Sequence, residues 1–133
     1  VHRLTVPTER REQFVDITRA VAEAATALGV GEGALLVYSP HTTAGITINE
    51  GYDPDVAADV LGWMADRVPH RGTYAHAEGN SDSHIKTIMT GTSQIVPVAE
   101  GRLQLGRWQA VFLCEFDGPR RREVWVTALD TRT

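Results

Sequence analysis

The sequence predicts an α+β fold, with two amphipathic helices placed before a β-rich last third. Three observations carry this. Residues 10–28 set apolar side chains at spacings of three and four, which lines them up on one face of a helix. Residues 53–67 repeat that pattern behind an Asp-Pro start. After residue 93 the chain breaks into short β-rich runs separated by glycine-bearing turns, and short turns make neighbouring strands antiparallel. Segregated helices and strands distinguish this class from the alternating α/β one. At 133 residues the chain has the size of one domain, 1–133, large enough to bury a core without disulfides.

In the first helix the stripe is Phe14, Ile17, Val21, Ala25 and Leu28, with Thr8 capping its start and Gly29 ending it in the left-handed conformation. Residues 34–39 read as a buried strand, and Pro40 interrupts it. Residues 40–43 are then a bend leading to a second strand over 44–49, which puts His41 at a strand end. Asp53 accepts free amide hydrogens and Pro54 suits the first helical position, so a helix runs from there to about Arg67. Its expected buried stripe is Ala57, Val60, Leu61, Met64 and Val68, and Pro69 stops it.

Residues 70–83 are polar, turn at Gly79-Asn80, and form a long loop of the kind that often carries function. Ile85, Ile88 and Met89 then predict a short helix over 84–90 that ends at Gly91. Strands follow at 94–99, 103–105, 108–116 and 123–129. In the third of these, Val111, Leu113 and Glu115 alternate with Ala110, Phe112 and Cys114, so both faces are apolar and both are covered.

The formal charge is −4, and basic residues are scattered apart from Arg120, Arg121 and Arg122; a nucleic-acid partner needs a broader basic face. No apolar stretch approaches the roughly 20 residues of a membrane helix. The single Cys114 lies in an apolar run, where a thiol acts as a small hydrophobe, and points to a reducing compartment. The expectation is a cytoplasmic protein with neither a nucleic-acid nor a membrane partner.

Chemistry concentrates on His41 at the strand end, His76 in the long loop and His84 at the start of the short helix. Between the last two stand Glu78, Asn80 and Asp82, a density of nitrogen and oxygen ligands that suits a divalent ion such as zinc or magnesium. The same imidazoles suit acid, base or phosphate-donor roles equally well. Residues 79–83 lead into the helix, so its free amides near Ser83 form an anion site, unless Asp82 or Ser83 caps them. Asn49 and Glu50 sit at a strand-to-helix junction, a place that often lines sites. Glu115 is costly in an apolar strand unless paired, and Arg120 or Arg122 across the next turn is its nearest partner.

His41-Thr42-Thr43-Ala44-Gly45-Ile46, Asn49-Glu50, Asp53-Pro54, His76, Gly79-Asn80 and His84-Ile85-Lys86 together resemble the YjbQ-like family, also known as the secondary thiamine-phosphate synthase family. Residues 93–98, Gly101, Gly106, Trp108-Gln109 and 115–120 continue the likeness over nearly the whole chain, with Arg107 standing where the family usually has Thr. The resemblance implies an antiparallel sheet curled into a partial barrel or sandwich with two main helices and one short one, assembled as a homotrimer with sites near subunit contacts. It also implies a transferase that joins a pyrimidine diphosphate to a thiazole phosphate and releases pyrophosphate. In that reading His41, His76 and His84 hold a divalent ion or manage protons, with Glu50 beside them. Asn49, Asn80, Ser83, Lys86, Trp108 and Gln109 bind the phosphorylated metabolite, Trp108 by stacking unless it is a core aromatic. A metal-dependent phosphate hydrolase with Glu50 as general base, and a non-catalytic metabolite-binding trimer, are the alternatives.

Overall fold

The computed structural model describes residues 1–129. Along these the elements are β1 (His2–Pro7), β2 (Gln13–Asp16), α1 (Thr18–Ala27), β3 (Gly33–Tyr38), β4 (Ala44–Glu50), α2 (Pro54–Arg67), α3 (Ser81–Thr90), β5 (Ser93–Ala99), β6 (Arg102–Leu103), β7 (Gln109–Glu115) and β8 (Arg121–Leu129). Strands β1-β8-β3-β5-β6 make one sheet and β2-β7-β4 a second, all pairs antiparallel, in a curled half-barrel with three helices.

The main core lies between the sheets and under α1. Leu35, Val37, Val96, Val124 and Val126 come from the larger sheet, Ile46, Val111 and Leu113 from the smaller, and Val21, Ala24 and Ala25 from α1. The other face of β7 supplies Ala110, Phe112 and Cys114 to a second cluster with Phe116 and Met64. The expected two-sided burial of that strand is therefore present. Gly29 ends α1 at φ +71°, as expected, and Asp53 caps α2 by accepting from the Asp55 amide at 2.9 Å.

The first helix differs from expectation. Residues 13–16 form β2 against β7, and α1 begins only at Thr18. Phe14 packs its ring 5.8 Å from Phe112 instead of lying on a helical stripe. Asp16 accepts from both the amide and the hydroxyl of Thr18, and this local turn separates strand from helix. Thr8 caps nothing; its buried hydroxyl donates to Glu115 at 2.8 Å.

Of the stripe expected in α2, only Met64 is buried; Ala57, Leu61 and Val68 are half-buried, and Val60 is exposed. Helix α3 starts three residues earlier than expected and so shortens the polar loop. It is also inverted. Its buried side chains are Asp82, Ser83, Lys86 and Thr87, whereas Ile85, Ile88 and Met89 face outward at 39%, 81% and 48% exposure. The polar side is held by charge: Lys86 reaches Glu12 at 2.6 Å and Asp82 at 3.0 Å, and Asp82 takes two bonds from Arg11 at 3.0 and 3.1 Å. Burial alone would push the Asp82 carboxyl up, but bonds from Arg11 and Lys86 outweigh it and hold the group below its ordinary value.

The two sheets are tied by a second buried ion pair. Glu115 on β7 pairs with Arg122 on β8, and both side chains are almost fully buried. Thr8 and the Asp117 amide also donate to Glu115, while Arg122 donates to the Thr43 hydroxyl at 2.8 Å. Burial would raise the Glu115 carboxyl; the bonds from Arg122, Thr8 and Asp117 win and lower it.

Glu115→Gln is expected to lower unfolding free energy by about 3–5 kcal/mol, because it leaves the buried guanidinium without its counter-charge; a urea midpoint reads this. Both depressed carboxyls contribute stability that is complete above their unfolded values, near pH 4, and is lost as pH falls through the lower folded values. Wild-type stability should thus decline steeply below about pH 4, and less so in Glu115→Gln. Equal acid sensitivity in both proteins would contradict this account.

Candidate active site

The bend after β3 is set by Ser39, whose hydroxyl donates to the Ala44 carbonyl at 2.6 Å and accepts from the His41 amide at 3.3 Å. That bend holds His41 against β8, where its Nε2 accepts from the Glu123 amide at 2.9 Å. A nitrogen that accepts carries no proton, so neutral His41 bears its proton on Nδ1. Burial lowers the imidazole below its ordinary value, and Arg122 lowers it further, against the opposing pull of the Glu115 and Glu123 carboxylates.

His84 projects from the first turns of α3, whose start is fixed by the Ser83 and His84 amides donating to the Asn80 carbonyl. The preceding loop is held by His70 Nε2 with the Gly79 carbonyl at 2.9 Å and by the Tyr74 hydroxyl donating to the Pro69 carbonyl. It brings the ring of His76 to 5.5 Å from that of His84, edge to face. All three expected histidines, together with Asn80, Arg120 and Arg122, line one hollow of about 470 Å³, a volume typical of small-molecule sites.

Two polar atoms of residues that line this hollow lack protein partners among the described residues. Arg122 spends Nε and Nη2 on Glu115 and Thr43, leaving Nη1 without a hydrogen bond among the described residues. The Asn80 amide nitrogen donates to Asp117 at 2.9 Å, but its buried Oδ1 has no partner among the described residues. Turning that amide over would set its oxygen against the carboxylate, so the assignment follows from the network. Arg120 is half-exposed and holds Asp117 at 3.1 Å. Both arginines were absent from the expected ligand contacts; their signal was the single basic cluster of the sequence, read there only as a partner for Glu115.

Other expected site residues lie elsewhere. Lys86 is buried between Glu12 and Asp82, so its ammonium is not presented to a ligand. The Ser83 hydroxyl donates to the Phe116 carbonyl at 2.6 Å and its amide to Asn80, which removes the anion site expected there. Neither Asp82 nor Ser83 caps α3, and Asn80 at the N-cap makes no side-chain cap either. Asn49 and Glu50 end β4, whose other end, Ala44, adjoins the histidine bend; six residues of strand separate them by roughly 20 Å. Glu50 accepts there from the Tyr52 and Asp53 amides. Gln109 pairs with Glu50 across the sheet and accepts from the Gly106 amide. Trp108 is half-exposed, 5.2 Å from Tyr52 and capped by Arg107 at 4.9 Å. Within one chain, then, Asn49, Glu50, Trp108 and Gln109 form a separate cluster remote from the histidines.

A metal held by all three imidazoles does not fit one chain. Among the described residues no three His, Cys, Asp or Glu side chains converge closely enough to hold an ion, and His41 already uses its unprotonated nitrogen. The pair His76 and His84 supplies nitrogen electron pairs of the kind a divalent ion takes.

The family model for UPF0047 protein YjbQ-like matches residues 2–131. The UPF0047 protein YugU of Bacillus subtilis is 46% identical over 124 residues, covering 92% of this chain and 94% of its own. The UPF0047 protein MJ1081 of Methanocaldococcus jannaschii is 46% identical over 121 residues, covering 91% and 88%. Among solved structures, an uncharacterized conserved protein of the YjbQ/UPF0047 family from Clostridium acetobutylicum superposes with a TM-score of 0.95 at 46% identity, over 97% of this chain and 100% of that one. A conserved hypothetical protein from Thermus thermophilus gives 0.89 at 51% identity with the same coverage. In sequence along almost its full length, and in the fold that carries the histidine hollow, this chain belongs to the UPF0047 YjbQ-like family.

Proposed function

We propose that the histidine hollow is the phosphate-binding centre of a transferase similar to thiamine-phosphate synthases, joining a pyrimidine diphosphate to a thiazole phosphate. The observation that carries this reading is the grouping of His41, His76 and His84 with a buried Arg122 whose Nη1 has no protein partner among the described residues. In the reaction the carbon–oxygen bond to diphosphate breaks and its electron pair leaves with the diphosphate. A nitrogen lone pair of the thiazole forms the new carbon–nitrogen bond. The demand on the protein is to stabilise charge gathering on the departing oxygens. Arg122 Nη1, Arg120 and the Nδ1 proton of His41 are donors for that task, and low basicity keeps His41 a neutral donor at pH 7. His76 and His84 would hold a divalent ion, zinc or magnesium, which would neutralise diphosphate charge when bound. The hydrolase alternative loses ground, since Glu50 lies at the far end of β4 with its carboxylate engaged by two amides.

The outward apolar face of α3 supports the homotrimer that the family likeness implies. A polar inner face and an apolar outer face make sense for a helix covered from outside by another copy.

Three outcomes are expected. Purified protein given both precursors and a divalent ion forms thiamine phosphate, and His84→Ala or Arg120→Ala lowers kcat/KM by about 10²-fold; no product with any ion, or unchanged variants, defeats the assignment. Nitrogen-15 NMR finds His41 protonated on Nδ1 and neutral until the pH falls below its ordinary value near 6.5; a charged ring at pH 7 contradicts the donor role. Light scattering gives a trimer for the wild type and smaller species for Ile88→Asp, and a monomeric wild type refutes the assembly.

A further inference from the structure

Beside the histidine hollow opens a second one of about 370 Å³, and the two share His41, Thr42 and His84 as a common wall. Thr87, Ile88, Gly91 and Thr92 complete the second hollow. Its chemistry is different. The first half carries Arg120, Arg122, Asp117 and Asn80. In the second, the shared histidines are the sole titratable groups among the described residues. The Thr87 hydroxyl is already spent on the Ser83 carbonyl at 2.9 Å.

This apolar annex is a built feature of the fold. The last turn of α3 presses onto β4 because Gly45 has no side chain; a Cβ there would strike the Thr90 hydroxyl and the Gly91 carbonyl. The Gly91 carbonyl accepts from the Ile46 amide at 3.1 Å, and the Thr92 carbonyl accepts from the Ser39 amide at 2.8 Å. The same bonds that place the annex wall therefore fasten it to the bend carrying His41.

We infer that the two hollows are compartments of one site, the polar one taking a phosphate group and the annex taking the small aromatic or apolar group esterified to it. This rests on the reading of the histidine hollow as a phosphate site and adds where the organic group sits and which residues select it. A flat ring in the annex lies against the imidazoles of His41 and His84 and the side chain of Ile88, and gains from leaving water. A polyol phosphate of equal charge sets hydroxyls against a wall with few free polar groups, and a buried hydroxyl without a partner is penalised. Thr92 and Ile88 are thus specificity-determining positions, whereas Arg120 and Arg122 recognise what all phosphorylated ligands share.

Isothermal titration of the full chain with phenyl phosphate, glycerol phosphate and inorganic phosphate tests this. Phenyl phosphate is expected to bind at least about tenfold more tightly than the other two. Thr92→Phe, which fills the annex, should bring phenyl phosphate down to the affinity of inorganic phosphate while leaving the latter unchanged. Equal binding of all three by the wild type overturns the annex and leaves the phosphate site standing; the same result follows where a neighbouring copy fills that space. Binding of none of them removes the phosphate reading and the annex together. A preference for phenyl phosphate that survives in Thr92→Phe also refutes the annex. The wild-type comparison decides the matter even where the variant does not fold.

Discussion

The pair Glu115–Arg122 is the constraint on which the rest depends. Strands β7 and β8 belong to different sheets, and their buried carboxylate and guanidinium meet where the half-barrel needs a cross-tie. Thr8 brings in the chain after β1, and Thr43 brings in the histidine bend. Two apolar side chains would fill the same volume, and such replacement of buried pairs often leaves stability unharmed. An apolar pair would not orient Thr43 or present a guanidinium nitrogen to the hollow. The ionic choice is explained by what it positions rather than by what it stabilises.

Helix α3 follows the same logic on the other wall. Its inner face is fixed by Lys86, Asp82, Arg11 and Glu12 in alternating sign, and charge-assisted bonds have directions that apolar contacts lack. A helix held this way has little freedom to rotate about its axis. Asn80 and His84, four residues apart, consequently share one face and border one hollow. Fixing the helix through polar contacts also releases its isoleucines and methionine to the outside, where Ile88 borders the annex and the group offers a surface to another molecule. One arrangement therefore accounts for the aim of His84, the apolar annex and the exposed patch.

Much of this was legible in the sequence, and the exceptions have physical causes. Asp53-Pro54, Gly29 and the alternation in β7 are local signals, and each element appeared where its signal put it. The partner of Glu115 was legible too, since a buried carboxylate needs a cation and Arg122 stood close along the chain. Residues 13–16 misled because Phe14 and Ile17 have a spacing that suits a helix, while their strand character comes from pairing with β7 far along the chain. The inversion of α3 was hidden for the same reason: Asp82 was read as a ligand or cap and Lys86 as a phosphate contact, and only Arg11 and Glu12, supplied from before α1, make their burial favourable. The convergence of His41, His76 and His84 was readable as residue type but not as geometry. That Asn49, Glu50, Trp108 and Gln109 do not join them reflects strand length, because residues at opposite ends of β4 and β7 cannot meet within one chain.

Charge in the histidine hollow is largely compensated before any ligand arrives. Arg122 is matched by Glu115, Arg120 by Asp117, and His41 is held neutral. Such a site attracts anions weakly from a distance, where net charge governs, and discriminates at contact, where directed N–H groups meet the ligand. Arg122 is fixed by several bonds before binding, so little rotamer freedom is lost when Nη1 engages. Preformed donors and an adjoining apolar wall together favour a ligand with an anionic end and a flat hydrophobic body, and neither feature alone would select it.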